Sequence, residues 1–190
     1  MSARPGGAPL SPLFIVFVRV MSMRCISKLP LSALGLLFVF CSICAALPAG
    51  AASSAETIDK LLANETPPAG IVFDIDEWDS DALQWAIPLV RSYVDRLRTR
   101  FPDLDIAIVS HGDEEFALMK YAEPNFGTVH REVEALVADQ VPVHVCAGHA
   151  VMSGYSENGF VDYVDKVPAG AETVAEYHRR GFIHIPVVRP

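Results

Sequence analysis

No acidic residue occurs in the first 51 positions of this 190-residue chain, and only one cysteine follows them. A stretch whose only charges are Arg4, Arg19, Arg24 and Lys28, and which is otherwise largely apolar, lacks the composition of a folded soluble domain. It has the composition of a targeting segment. With Cys146 alone beyond it, an intramolecular disulfide framework is excluded. A G-x-S-x-G elbow, a Walker loop and a G-x-G-x-x-G turn are also missing, so ordinary hydrolase, P-loop and dinucleotide chemistry have no supporting motif. Positive charge is scarce too. All 23 acidic residues but only 11 of the 15 basic ones lie beyond position 51, a formal charge of −12 with histidines neutral. So acidic a surface argues against nucleic acid and anionic lipid as partners, because both call for a basic footprint.

What the first 51 residues do contain is a signal peptide in order. Met23-Arg24-Cys25-Ile26-Ser27-Lys28 is the basic start, Leu31 to Leu47 the apolar stretch, and Ala49-Gly50-Ala51 the small-residue cleavage site. A membrane span needs about 20 uninterrupted apolar residues, and Pro48 ends this run. The bulk of Phe40 and Ile43 disfavours a lipid anchor on Cys41 or Cys44. A shorter apolar patch, Leu13 to Val18, is cut off by Arg19, so translation is expected to start at Met21 or Met23. The expectation is a periplasmic or secreted protein with no stable membrane anchor after cleavage. Cys146 would then be unpaired in an oxidising compartment.

Residues 52–70 read as a mobile lead-in with one helical turn near Ile58–Leu62, and residues 71–190 as a single α/β domain. Four runs are nearly continuous in apolar character, as strands covered on both faces are: Ile71–Ile75, Asp105–Ser110, Val141–Cys146 and Phe182–Val187. Helical spacing fills the gaps. After Ser80, a candidate N-cap, Leu83, Ile87, Val90, Val94 and Leu97 mark one buried stripe, with a kink or a helix start expected at Pro88. Phe116–Tyr121 and Val129–Val137 are further helical segments, and Ala171–Arg180 is closed by Gly181 at a helix C-cap position. This alternation implies right-handed crossovers and a mostly parallel sheet of about five strands with helices on both faces.

In such sheets, sites form at the carboxyl ends of the strands. Two of these ends stand out: Ser110-His111-Gly112-Asp113 and Cys146-Ala147-Gly148-His149. Gly112 and Gly148 permit tight turns and close backbone approach to a ligand, and His149 is a further binding candidate. Cys146, before a turn or helix start, reads either as a reactive thiol or as a small packed hydrophobe. Asp74 and Asp76 end the first strand, where nearby charge would raise the thiol pKa. His111 is an auxiliary base or thiol partner. His144, Cys146 and His149 form an H-x-C-x-x-H string that matches no structural zinc spacing, which leaves metal binding as a rival reading. The run Asp113-Glu114-Glu115 reads as the charged start of a helix.

Val143-His144-Val145-Cys146, then Val167-Pro168-Ala169-Gly170, then Gly181-Phe182-Ile183-His184-Ile185-Pro186 resemble the DsrE/DsrF-like family: a strand ending in cysteine, a V-P-A-G turn, a short helix and a closing Gly-aromatic strand. The likeness extends back to Ile71 and Val109-Ser110-His111-Gly112. It implies a compact parallel-sheet fold, assembly into homo-oligomers and, as in sulfur-relay members, a persulfide on Cys146 passed between sulfur-donor and sulfur-acceptor proteins or small sulfur compounds. No cofactor is implied. Export and His149 depart from the relay pattern. A non-catalytic ligand-binding or assembly module with Cys146 merely packed therefore stays open beside it, as does the metal reading.

Overall fold

Short runs of β-branched residues make the strands, and three-to-four-residue spacing of apolar side chains makes the helices between them. The structure, a computed structural model, describes residues 53–190; the expectations for the signal peptide and start site fall outside the described residues. Strands β1 (Ile71–Ile75), β2 (Ile106–Ser110), β3 (Val143–Cys146), β4 (Asp165–Val167) and β5 (Ile183–Pro186) form one sheet in the order β4-β3-β2-β1-β5. Every neighbouring pair is parallel.

Helices α1 (Ser54–Leu62), α2 (Leu83–Arg100), α3 (Glu123–Ala138), α4 (Ala147–Met152) and α5 (Gly170–Arg179) connect and cover the strands. The chain steps outward from β1 through β2 and β3 to β4, then returns to place β5 on the far side of β1. Right-handed crossovers therefore require the return helix on the face opposite the outbound ones. Accordingly α1, α2 and α3 bury Ile71, Phe73, Ile75, Ile108, Val143 and Val145 on one face. On the other face α5 covers Val72 and Val109 with Val174, Phe182 and the partly buried Tyr177. That second core is small, so the face also carries polar side chains. Register puts Asp74 beside Val109, Val109 beside His144 and Val72 beside His184.

Several local expectations change. The lead-in holds nine residues of helix rather than one turn: Ser53 caps α1 in a reciprocal box with Glu56, and Ile58 and Leu61 are buried. Ser80 is not the cap of α2. Ala82 occupies that position without a side-chain bond, while Asp79 Oδ1 accepts the Asp81 N–H. The helix continues through Pro88, which costs it one backbone donor. Asp113–Leu118 and Lys120–Ala122 are 3-10 turns, and α3 begins at Glu123. Gly181 does close α5, at φ +88°, with its N–H on His178 O and the Phe182 N–H on Tyr177 O. No helix among the described residues is long and apolar enough to cross a membrane.

Candidate functional site

Parallel strands of similar length bring their carboxyl ends to one edge, and here that edge carries Asp74 on β1, His111 just after β2 and Cys146 at the end of β3. Cys146 is the N-cap of α4, so its Sγ lies where a helix presents free N–H groups. It accepts the His149 N–H at 3.3 Å. It also accepts the N–H of Gly170, the first residue of α5, at 3.4 Å. Two helix starts therefore converge on one sulfur. Cys146 as a residue is 8% exposed.

The glycines explain how the chain closes around that sulfur. A Cβ on Gly170 would overlap His111 Cβ, and one on Gly148 would overlap the Pro168 carbonyl oxygen. The V-P-A-G turn thus packs Pro168 against α4, delivers the Gly170 N–H to Sγ and seats the His111 side chain on bare backbone. At Gly112 a Cβ would meet the Glu77 backbone and Glu114. The close approach at Gly112 and Gly148 is made by the protein's own chain.

His111 Nε2 lies 2.7 Å from Asp74 Oδ1, and His184 Nε2 lies 2.7 Å from Asp74 Oδ2. Burial opposes ionisation of Asp74, but the bonds from His111 and His184 outweigh it and hold the carboxyl below its ordinary range. The Asp74 bond in turn raises the His111 pKa against an opposing effect of burial. Both carboxyl oxygens of Asp74 are therefore occupied by imidazole nitrogens. The ring nitrogens of His149 face the His111 carbonyl oxygen and Asp113 Oδ1, both at 3.1 Å.

The structure does not bring His144, Cys146 and His149 together as ligands. His144 Nε2 pairs with the Tyr177 hydroxyl at 2.8 Å, and burial lowers its pKa. No group of three His, Cys, Asp or Glu side chains placed to hold a metal occurs among the described residues.

Two residues of the site escape sequence reasoning altogether. Glu114 and Glu115 are both fully buried, against the reading of 113–115 as a charged helix start. Glu114 accepts the Ser110 hydroxyl and the N–H groups of Glu77, His111 and Gly112. Glu115 Oε2 accepts the Cys146 N–H at 2.6 Å, while its buried Oε1 has no partner. Burial pushes the Glu115 carboxyl up to about 8. At the rim, a ladder of rings runs from Trp78, 78% exposed, through His149, Phe116 and Tyr155 to Tyr121.

The chain is an α/β fold, an all-parallel five-stranded sheet with a cysteine at a strand end and helices on both faces. A protein of unknown function, MTH1491, from Methanobacterium thermoautotrophicum shares it at TM-score 0.51 and 22% identity, over 61% of this chain and 96% of that one. The ychN protein from E. coli aligns at TM-score 0.48 and 22% identity, over 62% of this chain and 97% of its own. No protein-family model matches the chain, and no curated protein is significantly similar to it in sequence. The likeness to MTH1491 establishes the fold and carries no activity with it.

Proposed function

We propose that this protein is an exported sulfur carrier that binds and relays sulfane sulfur through Cys146. The observation that carries the reading is the double N–H cradle on Sγ from the starts of α4 and α5. The Cys146 thiolate attacks the outer sulfur of a donor persulfide, R–S–S⁻. The donor S–S bond breaks, R–S⁻ departs with the electron pair, and Cys146 becomes a persulfide. An acceptor thiolate then attacks that outer sulfur, a new S–S bond forms, and the Cys146 thiolate is released. Nothing is oxidised or reduced overall, so the protein needs only to hold sulfur anions and keep water at bay. His111, whose protonated form Asp74 favours, supplies positive charge beside the Gly170 turn that touches Sγ. The charge pattern of residues 1–51 supports action outside the cytoplasm, and the family resemblance supports a homo-oligomer as the working form.

A second reading, an assembly module with an inert packed cysteine, is favoured by the burial of Cys146. Release of sulfane sulfur to cyanide after incubation with a polysulfide distinguishes the two. The carrier releases close to one equivalent per chain, and the native thiol alkylates without denaturant. An inert module releases none and alkylates only when unfolded.

A further inference from the structure

We propose that Glu115 is the positioning residue of Cys146, fixing the corner at which Sγ meets its two N–H donors and setting the pH range over which the thiol reacts. The inference rests on Cys146 being the reacting thiol, not on what it carries. Cys146 is the last residue of β3, one beyond the Val145 that pairs with Ser110 at the end of β2, and its backbone N–H sits at the carboxyl end of the sheet. Across a separation of 31 residues, Glu115 Oε2 takes that N–H at 2.6 Å. Its bond sets the backbone of the residue whose side chain must point at His149 N and Gly170 N. The 3-10 turn Asp113–Leu118 of the β2–α3 connection carries Glu115, which is fully buried.

The second oxygen gives the residue a further role. Oε1 is buried without a hydrogen-bond partner among the described residues, so a carboxylate here has one donor, the Cys146 N–H, whereas Glu114 beside it has four. The charged groups that act on Glu115 are Glu114 and Asp113, which oppose its ionisation, and His111, which favours it. Burial is the largest effect, and the carboxyl keeps its proton to about pH 8. Below that pH a neutral Glu115 holds the Cys146 amide without adding negative charge. Above it the carboxyl that holds the Cys146 amide carries a negative charge, and like charge opposes an anionic nucleophile on the same residue.

The test is the pH profile of Cys146 alkylation by iodoacetamide in the full-length mature protein and in Glu115→Gln, which keeps an acceptor oxygen but never ionises. The two should react alike at about pH 6, and the variant should be at least about threefold faster at about pH 9. Glu115→Ala, which loses the acceptor, should be slower at every pH, with Gln restoring the rate. Profiles that coincide throughout, or that differ by a constant factor at every pH, would overturn the proposal, the latter marking a merely structural residue. Should the Gln variant fail to fold, infrared titration of the unsubstituted protein against Cys146→Ser decides. A buried carboxyl ionising near 8, and higher when Cys146 is present, supports the proposal; no carboxyl ionising above about 6 contradicts it. No sulfur donor enters these measurements, so diverging alkylation profiles in a protein that takes up no sulfane sulfur would leave Glu115 assigned and the carrier reading refuted.

Discussion

Cys146, His111 and Gly170 form a unit in which each residue depends on the missing or present atoms of the next. Gly170 donates its N–H to Sγ and lacks the Cβ that would displace His111. Gly170→Ala is therefore expected to cost about 1–3 kcal/mol, as overpacking at close-fitted sites does, and to slow Cys146 alkylation; thermal denaturation and thiol kinetics measure the two effects. Asp74→Asn keeps the size but removes the charge that raises the His111 pKa. Titration of the His111 ring by NMR is expected to show a lower value in that variant, and an unchanged value would place the cause elsewhere.

Secondary-structure elements differ in how openly the sequence displays them. β1, β2, β3 and β5 are legible because their apolar residues are consecutive, and α5 because Gly181 ends it at a φ that other residues resist. β4 is not legible: Asp165-Lys166-Val167 is three residues long and mostly exposed at the sheet edge, so no apolar run announces it. α1 carries a readable signal in Ser53-x-x-Glu56 followed by Ile58 and Leu61, which the Ala- and Ser-rich surroundings obscure. The helix anchors itself by its apolar face and by the Ser54 hydroxyl, which donates to Pro186 O at 2.6 Å. Ile58→Ala is expected to lower global stability by about 2–5 kcal/mol in chemical denaturation; a change below about 0.5 kcal/mol would mean that α1 does not dock. Cys146 and His111 are legible in the candidate site, since polar residues at the ends of apolar strands are conspicuous. Glu114 and Glu115 are not, because a run of three acids looks alike in a solvated turn and in one folded under a strand end.

For the whole molecule, the buried ionisable groups predict a direction for stability against pH. His111 has a raised folded pKa, so its contribution is complete below the ordinary value of 6.5 and is lost as pH rises through the folded value. Glu115 binds its proton in the folded state up to about 8 but in the unfolded state only to about 4.5, so stability falls as pH rises across that window. Asp74, held below 3.8, stabilises at every pH above that value and loses its contribution only in stronger acid. Thermal denaturation is thus expected to give a higher Tm at about pH 5.5 than at about pH 8.5, and a Tm that rises over this range would contradict the assignment. The central claim, that the converging helix starts make Cys146 a sulfur-binding thiol, is tested most directly by intact-mass spectrometry. The mature protein, with and without a polysulfide donor, is measured beside Cys146→Ser. The account predicts a gain of about one sulfur mass that disappears on reduction and is absent from the serine variant. No adduct on the native protein, with the thiol reacting only after denaturation, would contradict it.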